Sequence, residues 1–525
     1  MKNLNTNCKI LPTIYEDINS VNDVEFYAKE VKTNLPVQNG VIISPYYSLT
    51  VNGEEVTVYA TRSANGVHSF IYLDVEVLDE SKDFILNMQV KTKEQSTVLK
   101  SSSPTINVLP ESSGVVATIS GNTISATVNK TGNYSFVFNQ TYLEPLTIFV
   151  AKKLDENTVF GGREVIYLSA GDYSLSETQN KTIFSEPNKV YYFKAGRYKI
   201  QTIEIPTNSV LYLEKGAYLE VMPDKTGERS PAIFAKGGEK LTVCGRGLLD
   251  FSACCGGEVP EGFVNDKCGL VLNQINDVCV SGVTVINSQT WTLCLNDCNH
   301  VRVNNCLFFG YRVFSDGVML SDCKNAIVED NFVRTGDDAF ETKSTTQNGL
   351  TENVLFRNNS AWTDKAVAYG CIYESNHDTR GVRFENCSVG FANGTWSKHL
   401  GCCVIQMGNR KGAVMEDITF ENIEVFATYN KGAINVYIGG SGGFGAGSGI
   451  VKNIHFNNIT VKHNYDLVLN LQTYDAENCF IYYLYLNNVV SNGELFTKEK
   501  LNDKYYRNAV VGGYSEEKYL HINEE

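Results

Sequence analysis

The sequence predicts an all-β protein, a right-handed parallel β-helix preceded by an N-terminal antiparallel β-sandwich. Three observations predict it. Short runs of alternating polarity crowd the first 155 residues, an apolar strand ending in Asn then recurs at solenoid spacing, and helical patterning is almost absent. The 43 Gly against 11 Pro, with 29 Tyr and 26 Phe, suit strands joined by many turns. At 525 residues the chain exceeds one ordinary globular domain but fits one elongated repeat domain plus a smaller one. With 43% hydrophobic and 20% charged residues it can build a core, and wholesale disorder is excluded.

The first part, residues 1–155, carries the runs Glu55-Val-Thr-Val-Tyr-Ala60, Phe70-Ile-Tyr-Leu-Asp-Val75, Thr123-Ile-Ser-Ala-Thr-Val128, Tyr134-Ser-Phe-Val-Phe138 and Leu146-Thr-Ile-Phe-Val150. Each has period two, and turn formers such as Val51-Asn-Gly-Glu54 and Ser120-Gly-Asn122 separate them. Several short strands at close spacing read as a β-sandwich without a catalytic constellation.

The second part, residues 156–525, repeats a strand that ends in Asn or a close relative. The units are Val278-Cys-Val-Ser-Gly282, Val301-Arg-Val-Asn-Asn305, Ile327-Val-Glu-Asp-Asn331, Val354-Leu-Phe-Arg-Asn-Asn359, Val382-Arg-Phe-Glu-Asn386, Ile418-Thr-Phe-Glu-Asn422, Ile454-His-Phe-Asn-Asn458 and Leu484-Tyr-Leu-Asn-Asn488. Their starts lie roughly 23 to 36 residues apart, too tight for repeats that contain helices and right for three strands and three turns per coil. Asn tolerates left-handed backbone at the bend, and its amide can ladder between coils. Cys279, Cys306, Cys323 and Cys387 fall near the same bends, where stacked interior thiols fit. One capping helix is expected between Phe496 and Tyr505.

A net charge of −14 disfavours nucleic acid and anionic membrane surfaces as partners. No apolar run approaches the roughly eighteen residues of a membrane span. The N-terminus MKNLNTNCKILPTIYEDINSV is broken by polar residues throughout and does not read as a secretory signal, so the expected location is the cytoplasm, or outside the cell if a leader precedes this chain. The 15 cysteines lack disulfide-framework spacing and contain no CxxC pair, which reads as buried free thiols. Seven histidines without paired spacing give no reason to expect a metal site, and no cofactor is expected.

Two acidic segments lie about one short coil apart. Asp316 sits in Gly310-Tyr-Arg-Val-Phe-Ser-Asp-Gly-Val-Met-Leu320, and Asp337 and Asp338 in Arg334-Thr-Gly-Asp-Asp-Ala-Phe-Glu-Thr-Lys-Ser344. Coils stack about 4.8 Å apart, so Asp316 is expected over the Asp337/Asp338 pair on one outer face. Carboxylates packed so closely cannot all ionise, which leaves a protonated acid beside ionised bases, the equipment for hydrolysing a glycosidic bond. Adjacent strand residues point to opposite faces, so Asp337 and Asp338 cooperate only if the chain bends there, which Gly336 permits. The alternatives are two ordinary polar turns and a calcium site.

Ser315-Asp-Gly317 followed by Gly336-Asp-Asp-Ala-Phe-Glu-Thr-Lys-Ser344 resembles the signature of polygalacturonases (glycoside hydrolase family 28) and of the dextranase/isopullulanase enzymes (family 49). Cys244-Gly-Arg-Gly-Leu-Leu-Asp250 resembles their recurring Gly-x-Gly-x-(Ile/Leu)-Asp turn. The resemblance spans about residues 185–490. It implies an inverting glycoside hydrolase in which Asp337 is the general acid and Asp316 and Asp338 activate the attacking water. Polygalacturonases also carry a Gly-His-Gly motif on the next coils and an Arg-Ile-Lys motif that grips uronate carboxylates. Here the chain reads Ala366-Val-Ala-Tyr-Gly-Cys-Ile-Tyr-Glu374, with Tyr369 at the His position, and Cys403-Val-Ile-Gln-Met407. Those departures, and a sandwich ahead of the helix, resemble the family 49 layout, which acts on neutral α-glucans.

Tyr311, Arg312, Lys343, Tyr369, Tyr373, Glu374 and Gln406 are the candidate substrate-binding residues, with Tyr437 on a later coil, because each is expected on the acid-bearing face. Trp291, Trp362 and Trp396 could stack on a sugar or pack in the core. The Gly-rich run 439–449 and the loop 250–266 could wall off a pocket. The expected partner is a carbohydrate, and self-association stays open. Two competing readings are a β-helix lyase, epimerase or fructotransferase, and a carbohydrate-binding β-helix without catalysis.

Overall fold

The computed structural model describes residues 8–12, 41–63, 66–79, 83–93, 96, 103–139, 144–173, 183–223, 230–254, 267–312, 314–346, 349–372, 374–393, 402–407, 412–428, 432–439, 448–464, 467–475, 477–510 and 518–524. The first 152 residues contribute two sheets, one of seven strands and one of five. Inward side chains of both sheets, among them Leu49, Val90, Phe136 and Ile148, share one core. Pairings are antiparallel except that Leu146–Lys152 runs parallel to Gly66–Val77. The run Glu55–Ala60 is not one strand. Glu54–Val56 joins the five-stranded sheet and Tyr59–Ser63 the seven-stranded one, because the chain crosses between sheets at residues 57–58.

A short helix, Glu156–Phe160, capped by the Asp155 side chain, leads into the parallel part, which begins with Glu164–Leu168. Most coils then carry three strands, two in a 24-stranded sheet and one in an 11-stranded sheet, and in Ala413–Thr428 and Gly449–Asn464 the first two run together as one. Paired core residues give coils of 20 residues, Tyr191 to Leu211, up to 37, Leu469 to Tyr506. Aliphatic residues fill the interior, and Phe356, Phe384, Phe420 and Phe456 stack in near-parallel file at 4.6–5.0 Å.

The bends behave as the Asn pattern predicts. Asn305, Asp330, Asn358, Asn386, Asn422, Asn458 and Asn488 all have φ between 52° and 56°. Asn386, Asn422, Asn458 and Asn488 form a ladder of amide hydrogen bonds of 2.9–3.0 Å. Cys306, Cys323 and Cys387 are interior, whereas Cys279 is only half-buried, because it alternates outward between Val278 and Val280. The described cysteines are all free thiols. The expected capping helix is a single 3-10 turn, Lys498–Lys500, since most of residues 496–505 lack an apolar stripe to bury. Among the described residues no helix is long and apolar enough to cross a membrane.

The sandwich docks on the helix through a mixed interface. Phe70, Phe309, Phe332, Trp362 and Phe391 pack together across it. Around them lie Arg246 on Asp74 at 2.8 Å and the Glu424 carboxylate, which accepts from the backbone N–H groups of Glu111 and Ser112.

Candidate active site

The three aspartates sit in bends where the chain enters the 11-stranded sheet. Val318–Ser321 and Phe340–Lys343 pair in register, and Gly317 N donates to Asp338 O at 2.8 Å, which sets Asp316 one rung from Asp338. The bend at residues 336–339 lets the consecutive acids face one region, as the sequence requires. Both glycines are needed for the close approach of rungs. A Cβ on Gly336 would lie 2.3 Å from Arg312 O, and one on Gly317 would lie 2.4 Å from Ala339 O.

Hydrogen bonds fix each acid differently. Asp337 Oδ2 accepts from Phe314 N on the preceding rung and Oδ1 from Asp338 N, both at 3.1 Å. Asp338 Oδ1 accepts from Val367 N on the following rung at 2.9 Å. Ser315 Oγ accepts from Gly336 N and donates to Arg312 O, tying the two bends together. Phe314 adopts φ 74°, a strained conformation for a bulky residue, and this geometry aims its N–H at Asp337.

Asp316 and Asp337 are 4% and 7% exposed, and Asp338 is half-buried, so the trio meets solvent mainly through Asp338. A fourth carboxylate, Glu341, is fully buried beside them. Oxygens of Asp316, Asp338 and Glu341 lie within 4.8 Å of one another. Three oxygens so placed could meet a cation, but the Lys343 ammonium already stands there, 3.2 Å from Glu341, 3.1 Å from Glu374 and 3.9 Å from Asp316. The arrangement is a proton-sharing cluster with its own resident cation. Burial pushes the Asp337 carboxyl up to about 7, with help from the Glu341 charge and against the pull of Lys343. Burial, then the charges of Glu341 and Asp337, push Asp316 well above the usual carboxylate range. Asp338 rises for the same reason, with Asp337 its strongest charged neighbour. Burial opposes the Lys343 charge, but Glu341, Glu374 and Asp316 outweigh it and keep the ammonium protonated.

The other expected residues divide. Lys343 and Glu374 join the acids directly. Tyr311 lies between two guanidinium groups, Arg62 of the sandwich at 4.3 Å and Arg312 at 5.0 Å. Arg312 is buried, and its Nη1 donates to Asn287 O while Nη2 takes no hydrogen-bond partner among the described residues. Tyr369 is a correction. It points into the helix interior, stacks on Phe340 at 5.3 Å and donates to backbone oxygens of Asn359 and Ser388, because its position in Tyr369–Cys371 alternates inward. It therefore cannot touch a substrate. Trp362 is also core, wedged at the sandwich interface against Gly390, where a side chain would collide with it. Gln406 lies on Cys403–Met407, with its side chain outside the described residues, and Tyr437 is buried one rung further on. Tyr373, Trp396 and most of the 250–266 and 439–449 segments also lie outside the described residues. Glu341 is the group that sequence reasoning missed. Its signal was the alternation in Phe340-Glu-Thr-Lys343, which turns Phe340 and Thr342 inward and Glu341 and Lys343 outward.

No protein-family model matches the chain, and no curated protein matches its sequence. Solved structures do match its fold. Dex49A from Penicillium minioluteum superposes with a TM-score of 0.66 at 13% identity, over 99% of this chain and 100% of that one, so the likeness runs through sandwich and helix alike. The polygalacturonase from Erwinia carotovora ssp. carotovora gives 0.51 at 15% identity, over 69% of this chain and 97% of that one. The chain thus has the fold of the parallel β-helix glycoside hydrolases whose acid motifs its own resemble.

Proposed function

We propose that the protein is an inverting glycoside hydrolase acting on a neutral, α-glucan-like oligo- or polysaccharide. Asp337, protonated near neutral pH, gives its proton to the glycosidic oxygen as that bond breaks. A water on the opposite face of the sugar attacks the anomeric carbon and loses a proton to Asp316 or Asp338, one of which must stand ionised although burial and the neighbouring charges raise both. One proton leaves the acid and one reaches the base, so the site resets by proton exchange with solvent.

The observation that carries this reading is the gathering of Asp316, Asp337 and Asp338 from two rungs at one buried spot, where burial and the neighbouring charges raise all three and leave protons to be shared among them. A neutral substrate is favoured because the site is rich in carboxylates, and Lys343, its cation, is engaged by three of them. A uronate would meet repulsion where a polygalacturonate-binding site needs a free cation. The half-buried Tyr311 is the group on hand to meet sugar hydroxyls.

The test is a panel of neutral and acidic glycans incubated with wild type beside Asp337→Asn. Hydrolysis lost in the variant, with product first appearing in the inverted anomeric form by proton NMR, supports the proposal. Equal hydrolysis by both proteins, or retention of configuration, sinks it.

A further inference from the structure

We propose that Glu341 is a positioning residue: it anchors the Lys343 ammonium between Asp316 and Glu374 and adds the negative charge that keeps a proton on the aspartate trio. The inference rests on the hydrolase reading of that site and extends it to a residue outside the three-aspartate set.

The surroundings of Glu341 set it apart. Its strand neighbours across the rungs are Met319, an apolar side chain, and Gly370, which has none. No backbone N–H or hydroxyl reaches either carboxylate oxygen, whose polar neighbours are Lys343 and Asp316, and the residue is 0% exposed. A carboxylate so placed destabilises the fold unless a cation compensates it, and Lys343, two residues along the same face, is that cation. A purely structural pair would close on itself. This one does not, because Lys343 also reaches Glu374 on the following rung and Asp316 on the preceding one. Five carboxylates, those of Asp316, Asp337, Asp338, Glu341 and Glu374, thus act on one ammonium, and the Cys294 thiol also faces the pair. The Glu341 charge is the strongest charged influence on both Asp316 and Asp337, and it acts to hold their protons.

Removing that charge has a definite sign. Glu341→Gln keeps the shape, deletes one negative charge and frees Lys343 to pull on the aspartates. Both effects make the trio lose its proton more readily. The alkaline limb of kcat/KM should then move to lower pH by about one unit, and kcat should fall while KM changes less than about two-fold. Glu341→Asp keeps the charge and should restore the limb. Lys343→Met removes the cation and should move it the opposite way. A second readout needs no activity. Carbon NMR of protein labelled at Asp carboxyls should show raised aspartate midpoints in wild type and lower ones in Glu341→Gln.

If glycan is cleaved but the limb and the midpoints stay where they are, or activity falls equally at every pH, the role assigned to Glu341 is overturned while the hydrolase reading stands. If no glycan is cleaved by wild type but the midpoints move, the hydrolase reading fails and the charge relationship survives. If Glu341→Gln does not fold, Lys343→Met and Glu341→Asp still decide the sign.

Discussion

Arg334 Nη1 on the helix wall lies 3.1 Å from His68 Nδ1 of the sandwich, and this contact joins the interface to the acid-bearing bend. Arg334 also holds Asp364 in a two-pronged pair at 3.0 and 3.1 Å, and all three side chains are buried. The strand Phe332–Thr335 runs straight into Gly336 and Asp337. Arg334→Met should therefore take the guanidinium away from the buried Asp364 carboxylate and cost roughly 3–5 kcal/mol. Urea unfolding would measure the loss. Activity should fall with it, even though Arg334 cannot reach a substrate. Unchanged stability would show that the pair is not compensating Asp364.

His68 gives the same interface a pH dependence. Arg334 donates to Nδ1, so the ring proton sits on Nε2, which pairs with Thr147 Oγ1 at 2.8 Å. Burial, then the Arg334 charge, hold the imidazole well below its ordinary 6.5. The unfolded chain takes up a proton near 6.5 that the folded chain refuses. The stabilisation is complete above that value and is lost as pH falls through and below it, at about 1.4 kcal/mol per pH unit. A melting series from pH 8 to 5 should show this slope in wild type and a shallower one in His68→Phe.

Asp337 has the opposite sign. Its folded-state value of about 7 lies above the ordinary 3.8, so the folded chain keeps a proton that the unfolded chain releases. That contribution is complete below 3.8 and lost as pH rises through 7. Two outcomes are expected. The alkaline limb of kcat/KM should lie near 7, and Asp337→Asn, though inactive, should melt higher than wild type at pH 8. A variant less stable than wild type at pH 8 would contradict the buried-acid account.

The glycines at the bends are steric necessities. A Cβ at Gly336 would press on Arg312 O at 2.3 Å, and backbone cannot retreat as a long side chain can. Gly336→Ala should displace the Asp337 bend, cost about 1–3 kcal/mol and remove most activity. Gly53→Ala is the control, because nothing lies within 4 Å of its added Cβ and only its backbone preference is disturbed. Comparing activity per folded molecule in the two variants separates loss of geometry from loss of fold.

Much of this architecture was legible in the sequence because a solenoid writes its period locally. The Asn at each bend reports a left-handed residue, and the apolar alternation reports which face is inward. Asp316 and the Asp337/Asp338 pair could be brought together by counting one coil. Tyr369 was misread because a motif position was followed where period two should have decided, and Tyr369 shares the inward phase of Phe340 and Cys371. Glu341 was missed because a Glu two residues from a Lys reads as a surface pair until the burial of both is known. The Arg334–Asp364–His68 contact was out of reach, since it spans 266 residues and depends on how the sandwich docks.

The Asn ladder offers a sharp comparison. Asn422 has φ 54°, donates to Asn386 Oδ1 and accepts from Asn458 Nδ2, both at 3.0 Å on the exposed edge. Two roles are combined there, backbone geometry and amide pairing. Asn422→Gly keeps the left-handed backbone and loses only exposed hydrogen bonds, so it should cost less than about 1 kcal/mol. Asn422→Ala loses both and should cost about 1–2 kcal/mol more, because a Cβ disfavours this backbone region. Chemical denaturation of the two variants settles which role dominates. If they lose equal stability, amide pairing rather than the bend is what the recurring Asn supplies.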